Sequence, residues 1–210
     1  MIGNRLGIQS LSATVACLLA AGTACFAQAP GTYRIDAQAS KIEIHVFRGG
    51  LFGSLGDNHV IGGAKFRGKA VGEKDGSWKI EVHLESASLR VLDSGISNST
   101  RREIQTTMLG AGQLEVVRYP SINLVSQSFE RSGTSESGVL KSQLTLHGVT
   151  RQIDFPVTIN DSGGMVEANG QARLRLRDFG IEPISKGLGT VKVKNEFEVV
   201  YDIRLHLEER

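Results

Sequence analysis

The sequence has almost no cysteine, and both of its cysteines, Cys17 and Cys25, fall within the first thirty residues. Residues 1–27 have the pattern of a secretory signal peptide: the single cation Arg5, a short run of apolar and small residues, and small residues before a cleavage site at Ala27. We expect this leader to be removed. Residues 28–210 are then expected to form one domain that contains no disulfide.

Other interpretations of the leader stay open. Cleavage could follow Ala29 instead of Ala27, or the apolar run could remain as an uncleaved anchor. Lipoprotein processing at Cys25 is a further alternative, although Gly22 stands where such sites usually carry an aliphatic residue. Each of these interpretations places the folded domain outside the inner membrane, and we expect a periplasmic protein.

Charge of one sign and aromatic residues are also scarce. Lys and Arg number 24 against 22 Asp and Glu, the formal net charge is +2, and aromatic residues make up 6% of the chain. Arg173, Arg175 and Arg177 come nearest to a basic row, but they alternate with leucines and are best interpreted as the solvated face of a strand. We therefore expect no nucleic-acid partner.

The common catalytic and metal-binding motifs are missing as well. The sequence contains no His-x-x-x-His, no His-Glu-x-x-His, no cysteine cluster, no Gly-x-Ser-x-Gly and no Ser-x-x-Lys. We expect no metal, no cofactor and no catalytic residue. If a metal or an acid–base site exists, His59, Asp57 and His45 are the first residues to inspect.

What the sequence does have is alternation. From Val191 to Leu207 every odd position except Asn195 is apolar, while the even positions are mostly charged. A period of two over this length predicts one strand with a dry face and a wet face. At ~3.3 Å per residue the strand would be ~55 Å long, far beyond the usual ~5–6 residues, so it must curve. We expect it to close a tall sheet that has an interior.

Shorter alternating segments separated by turns fill most of the remaining chain, and they predict a single antiparallel barrel or sandwich. One helix is expected over residues 101–109. Thr100 and Glu103 have the spacing of a capping box at its start, and Gly110 is well placed to end it. We expect this helix to cover one end of the sheet.

Four segments, in chain order, resemble one known family, the YceI-like polyisoprenoid-binding proteins of bacterial periplasms. They are Tyr33-x-Ile35-Asp36 with Ser40-x-Ile42-x-Ile44-x-Val46, then Arg102-Glu103-Ile104 to Tyr119-Pro120-x-Ile122, then Leu144-Thr145-Leu146-His147-Gly148-Val149-Thr150, and finally Arg177-Asp178-Phe179-Gly180-Ile181. The chain departs from the family pattern at Ala39 and Arg48, where histidines are common. It therefore resembles a divergent branch.

The resemblance implies an all-β fold, an extended eight-stranded antiparallel barrel of the lipocalin-like type with one short α-helix. It also implies an apolar interior that holds an amphiphilic lipid, either a polyisoprenoid or a quinone. The expected partner is therefore such a lipid, and a transient membrane contact and a homodimer stay open as further partners. The abundance of Gly and Ala on positions expected to face inward would leave space in a barrel of about eight strands.

The candidate ligand-binding residues fall into three groups. Seven lie on the dry faces of predicted strands and are expected to line the pocket: Ile44, Val46, Phe66, Leu124, Phe155, Phe197 and Tyr201. Phe52 and Leu55 belong to a glycine-rich loop that would form a lid or mouth. Arg177 is the cation to test for a phosphate headgroup, although a structural pair with Asp178 near the barrel rim is the favoured interpretation.

Three hypotheses about function follow. The first is a periplasmic binding or carrier protein for an amphiphilic lipid. The second is a periplasmic enzyme that uses His59 with Asp57 on a hydrophobic substrate, which requires a carboxylate or a cavity within reach of His59. The third is a stress-related structural module without a ligand, which a barrel filled by its own side chains would favour.

Overall fold

A computed structural model of the chain describes residues 31–49, 58–72, 77–133, 136–186 and 191–208. The leader, both cysteines, Phe52, Leu55 and Asp57 lie outside these ranges. The elements in chain order are β1 (Thr32–Ile35), β2 (Lys41–Gly49), β3 (His59–Gly62), β4 (Phe66–Gly72), β5 (Trp78–Glu85), β6 (Arg90–Val91), α1 (Asn98–Leu109), β7 (Ser121–Arg131), β8 (Ser137–Leu146), β9 (Val149–Asp161), β10 (Met165–Arg175), β11 (Ser185–Lys186) and β12 (Val191–Leu207).

The strands close into an antiparallel barrel with eight walls. Three walls are interrupted and consist of β1 with β2, β3 with β4, and β5 with β6, while β7, β8, β9, β10 and β12 are continuous. Each wall pairs with its neighbour in sequence, and β12 pairs back with both β1 and β2 to close the ring. The expected eight-stranded antiparallel barrel is therefore confirmed.

The long final strand runs from Val191 to Leu207, as the alternation predicts. One edge pairs with β10, and the other pairs first with β2 and then, at its end, with β1. The register against β2 shifts between Val193 and Phe197. Asn195, the polar exception in the pattern, lies within this shift, and its Oδ1 accepts a hydrogen bond of 3.1 Å from the Arg177 backbone N–H.

The three interrupted walls break next to one another. The breaks lie at residues 36–40, 63–65 and 86–89, and serine side chains make hydrogen bonds at all three. Ser40 Oγ accepts from the Arg204 N–H at 2.8 Å and so ties the first break to β12. Ser88 Oγ accepts from the Lys65 N–H at 2.7 Å and donates to the Glu85 carbonyl at 2.6 Å. The backbone groups that the breaks remove from the ladder are thus partly satisfied by side chains.

The helix is longer than predicted, and its cap is different. α1 begins at Asn98, and its N-cap is Ser97, whose Oγ accepts from the Thr100 N–H at 3.1 Å. The prediction of Thr100 as N-cap was therefore wrong, although the helix ends before Gly110 as expected. The Gln105 side chain joins α1 to β6, because it accepts from the Val91 N–H and donates to the Leu89 carbonyl, both at 2.8 Å.

The helix lies at the end of the barrel where β2 ends and β12 begins, which we call the helix end. The Gln113 side chain, just after the helix, donates to the Glu182 carbonyl in the segment that leads to β12. The opposite end carries the β7–β8 and β9–β10 turns and the start of β1, and we call it the hairpin end.

Candidate functional site

The barrel encloses a cavity of about 600 Å³, within the ~300–1,000 Å³ typical of small-molecule sites. Inward side chains from both the continuous and the interrupted walls line it, and almost all of them are apolar. Because inward and outward residues alternate along each strand, the same pattern that predicted dry faces supplies this lining. The barrel is therefore not filled by its own side chains.

The structure brings most of the predicted lining residues together. Six of them face the cavity: Ile44, Val46, Leu124, Phe155, Phe197 and Tyr201. Phe155 and Tyr201 make an edge-to-face contact across β10, with ring centroids 6.0 Å apart and an interplanar angle of 70°. This geometry is the one that aromatic pairs favour. Contact of these residues with a ligand stays a prediction.

Two predicted residues lie elsewhere. Phe66 is buried and packs in a neighbouring cluster with Ile61, Leu84 and Leu89, and it is not part of the cavity lining. Arg177 is exposed on the outer surface and pairs with Glu182 at 3.0 Å, so its expected structural partner, Asp178, was wrong. Because Arg177 does not line the cavity, it is not placed to contact the phosphate of a ligand held inside.

Tyr201 spans a gap in the barrel wall. The ladder between β9 and β10 covers only Thr158–Asp161 and Val166–Asn169. Beyond it, the Tyr201 hydroxyl donates a hydrogen bond to the carbonyl of Pro156, a residue that has no N–H to offer a neighbouring strand. Burial raises the pKa of Tyr201 well above its usual value of 10.0.

The polar side chains of the cavity lining lie mainly at the helix end. They are Arg48 on β2, His59 on β3, Thr100, Glu103 and Thr107 on α1, and Gln113 just after it. Arg131, at the end of β7, is a polar lining residue of the hairpin end. The cavity is thus amphipathic along its axis, with a long apolar body and a polar mouth beside the helix.

His59 is held in this mouth by a buried carboxylate. Its Nδ1 lies 2.6 Å from Oδ2 of Asp93, whose side chain is only 5% exposed. The other carboxylate oxygen, Oδ1, accepts from the Val60 N–H at 2.8 Å. Both oxygens of the buried Asp93 are therefore satisfied, and the imidazole is fixed in orientation while its ring faces the cavity.

The sequence analysis named His59 but missed Asp93. The two residues are 34 positions apart, and only the pairing of β3 with β6 places them side by side. A carboxylate in the stretch Leu92-Asp93-Ser94 gives no signal of burial. The expected partner, Asp57, lies outside the described residues.

The other candidate histidine faces outward. His45 alternates with the lining residues Ile44 and Val46, and its Nε2 lies 3.6 Å from a Glu43 carboxylate oxygen. Across residues 31–208, leaving out the gaps given above, no group of three or more His, Cys, Asp and Glu side chains could hold a metal ion. Nor does this part of the chain contain a helix that is both long and apolar enough to cross a membrane.

Comparison with known proteins agrees with the architecture. The family model of the YceI-like domain matches residues 33–205. A UPF0312 protein of Pseudomonas putida strain W619 is 33% identical over 174 residues, which cover 79% of this chain and 82% of that protein. A UPF0312 protein of Pseudomonas syringae pv. tomato is 32% identical over 130 residues, or 59% of this chain and 61% of that protein.

Two solved structures share the fold at low sequence identity. Burkholderia cenocepacia BcnA superposes with a TM-score of 0.65 at 16% identity, covering 81% of this chain and 98% of that one. A polyisoprenoid binding domain from Saccharophagus degradans, implicated in plant cell wall breakdown, gives a TM-score of 0.62 at 12% identity, covering 86% of this chain and 100% of that one. The sequence match and the closed barrel lead to one conclusion: this chain belongs to the YceI-like domain family.

Proposed function

We propose that this protein is a periplasmic binding or carrier protein for an amphiphilic lipid, a polyisoprenoid or a quinone, whose apolar chain lies in the barrel. The observation that carries the proposal is the cavity of about 600 Å³ with an almost wholly apolar lining. Burial of an apolar chain gains about 25 cal/mol per Å² of surface removed from water, so a long chain needs few polar contacts to bind.

The unfilled interior also separates this proposal from a ligand-free structural module. A module that acts only through its fold gains nothing from a cavity, because unfilled apolar space forfeits packing contacts. The similarity in fold to a domain named as polyisoprenoid binding further supports a chain-like ligand. Delivery or collection of such a lipid would require a transient contact of the protein with a membrane.

The test is native mass spectrometry of the protein purified from the periplasm without detergent, followed by lipid extraction. Ala168 lines the cavity, and Ala168→Phe would occupy part of the space without burying a charge. Val125 lies on the outer face and is 48% exposed, so Val125→Phe is a control of matched size. We expect a co-purifying lipid in the wild type and in Val125→Phe, and much less in Ala168→Phe.

Two results would contradict the proposal. The first is that none of the three proteins carries lipid and none binds added prenyl alcohols or quinones. The second is that Ala168→Phe and Val125→Phe carry equal amounts of lipid. The same native spectra report whether the loaded protein is a monomer or a homodimer.

The proposed location has its own test. Cell fractionation with intact-mass measurement should find the mature chain in the periplasm, beginning at Gln28 if cleavage follows Ala27. A lipid-modified N-terminus at Cys25 would support the lipoprotein alternative. An uncleaved cytoplasmic chain would contradict the proposed location.

A second candidate function is an enzyme acting on a hydrophobic substrate through His59. The contact between His59 and Asp93 at the cavity favours it, because a carboxylate-oriented imidazole is a common general base. The carboxylate would then be Asp93 and not Asp57. The measurement is hydrolysis of long-chain prenyl and acyl esters by the wild type and by His59→Gln. Equal rates that match the buffer blank would eliminate this candidate.

A further inference from the structure

We propose that the polar mouth selects amphiphiles that end in a hydroxyl group, an alcohol or a phenol, through His59 as hydrogen-bond acceptor and Arg48 as donor. This inference rests on the proposed function, since it names the headgroup of a lipid whose chain lies in the barrel. Neither the family match nor the similar structures assign a headgroup site to this chain.

The first step concerns the proton on His59. An ionised carboxylate can only accept hydrogen bonds, and both Asp93 oxygens are engaged, Oδ1 by the Val60 N–H and Oδ2 by His59 Nδ1. His59 Nδ1 must therefore carry the proton that is donated to Asp93. In the neutral imidazole Nε2 is then an unprotonated acceptor.

The second step concerns where Nε2 points. The two ring nitrogens lie on opposite sides of the imidazole, and Nδ1 faces the buried Asp93 side chain while the ring lines the cavity. Within the described ranges the only hydrogen bond of the His59 ring is the one between Nδ1 and Asp93. This acceptor is available to a molecule in the mouth.

The third step adds a donor. His59 pairs directly with Val46, and Arg48 is two residues further along the same inward face of β2. The two side chains are thus diagonal neighbours, about 7–8 Å apart at the backbone and within reach of one long side chain. No ion pair of the Arg48 guanidinium occurs among the described residues.

A hydroxyl group satisfies both partners at once, because its oxygen accepts from Arg48 while its hydrogen is donated to Nε2. An ether or a quinone carbonyl can only accept, so it would leave Nε2 unpaired. A fully ionised phosphate has no proton for Nε2, and it would also meet the carboxylate of Glu103 in the same mouth. The arrangement therefore favours a neutral hydroxyl headgroup.

The experiment compares geranylgeraniol with its methyl ether, which has the same chain but cannot donate. Trp78 is the only tryptophan and lines the cavity, so its fluorescence reports occupancy directly. At pH 7.5 we expect the wild type to bind the alcohol about tenfold more tightly than the ether. His59→Phe should bind both ligands with similar affinity.

Asp93→Asn is the more specific test. The Val60 N–H would hold the amide oxygen of the new side chain, so the amide NH₂ group would face His59 Nδ1 and donate to it. The imidazole would then carry its proton on Nε2 and offer a donor to the mouth. We expect nitrogen NMR shifts to report the exchanged tautomer, and the preference for the alcohol to disappear although His59 is still present.

His206→Gln is the control, because His206 lies on the outer face of β12, 3.5 Å from Asp36 and far from the mouth. It should keep the preference of the wild type, and thermal unfolding checks that all variants fold. Equal affinity of the wild type for the alcohol and the ether would overturn the headgroup inference and leave the proposed function standing. Failure of both ligands to bind would overturn the proposed function itself.

Discussion

At the scale of single residues, the unusual feature is the contact through which Tyr201 closes the wall between β9 and β10. Pro156 supplies a carbonyl but no N–H, and Gly170 on β10 leaves the room in which the phenol reaches that carbonyl. A Cβ built at Gly170 would lie 2.1 Å from the Pro156 carbonyl oxygen and 2.6 Å from the Tyr201 hydroxyl oxygen, both closer than real side chains allow. The three residues act as one unit that replaces a stretch of backbone ladder.

This unit predicts that substitutions at Tyr201 and Gly170 have non-additive effects on the free energy of unfolding. Tyr201→Phe should lower the free energy of unfolding by about 1 kcal/mol, because one hydrogen bond is lost at a carbonyl that water can reach. Gly170→Ala should cost about 1–3 kcal/mol through overpacking. In the double variant the cost of alanine should be smaller, because the hydroxyl is gone and the Pro156 carbonyl, no longer bound by Tyr201, is free to move away from the new methyl group. Urea unfolding of the wild type, the two single variants and the double variant measures the coupling energy between the two positions. Strictly additive changes in unfolding free energy would contradict the view that the three residues act as one unit.

Tyrosine burial also predicts a loss of stability in alkali. Burial raises the pKa of Tyr201, and burial, followed by the charge of Asp161, raises the pKa of Tyr33. Above pH 10 the unfolded chain releases these protons while the folded chain keeps them, so stability is full below pH 10 and falls as pH rises.

The slope of unfolding free energy against pH has an upper limit of about 1.4 kcal/mol per pH unit for each tyrosine. Urea unfolding between pH 8 and pH 11 tests this, and Tyr201→Phe should reduce the slope. An unchanged slope in that variant would exclude Tyr201 as its source.

At the scale of elements, three adjacent interruptions shape the first three walls of the barrel. A continuous strand would satisfy its own backbone groups, whereas each break leaves some without ladder partners. Ser88, only 8% exposed, joins two breaks, because its hydroxyl bonds Lys65 N–H on one wall and the Glu85 carbonyl on the other. The Gln105 side chain likewise replaces ladder partners at the exposed edge of β6, because it accepts from the Val91 N–H and donates to the Leu89 carbonyl.

Ser88→Ala should therefore destabilise the protein by about 1–3 kcal/mol, because the part-buried Lys65 N–H and the Glu85 carbonyl both lose the Ser88 hydroxyl as a hydrogen-bond partner. Ser94, an exposed serine nearby in the chain, provides the matched control, and Ser94→Ala should change stability by less than about 0.5 kcal/mol. Urea unfolding measures both variants. Equal midpoints would mean that water replaces the Ser88 hydroxyl at this break.

The sequence predicted the elements whose residues repeat and missed those set by distant contacts. The final strand was correct at both ends because its alternation continues over seventeen residues and fails only at Asn195. That exception coincides with the register shift against β2. The helix start was wrong because Ser97 and Thr100 are both good caps, and the choice depends on contacts such as that of Gln105 with β6.

The cavity residues show the same contrast between what repeating patterns predict and what distant contacts decide. The dry faces of strands identified six lining residues, because alternation in a closed sheet decides which side is inside. Phe66 has the same pattern, but it follows the break at residues 63–65 and packs into a side cluster. Asp93 could not be found, because its burial and its contact with His59 exist only once β3 and β6 have paired.

At the scale of the whole molecule, the cavity affects stability as well as binding. Small cavities in protein cores cost about 24 cal/mol per Å³, which gives an upper limit of about 14 kcal/mol for 600 Å³. That is comparable to the entire stability of an ordinary domain, about 5–15 kcal/mol. Water in the open mouth reduces the cost, but a barrel emptied of ligand remains less stable than a loaded one.

Ligand loading should therefore raise the unfolding temperature. At a free geranylgeraniol concentration of 100 times Kd, linkage adds about 2.7 kcal/mol, which for a domain of this size corresponds to about 5–10 °C in Tm.

Ala168→Phe should have a higher Tm than the wild type after delipidation, since its side chain occupies empty space, and it should gain little from ligand. Val125→Phe, on the outer face, should respond to ligand as the wild type does. Calorimetry of delipidated and loaded samples separates these cases. If the unfolding temperature of the wild type does not change with ligand, the lipid does not occupy the interior. That result would contradict the prediction that filling the cavity stabilises the barrel.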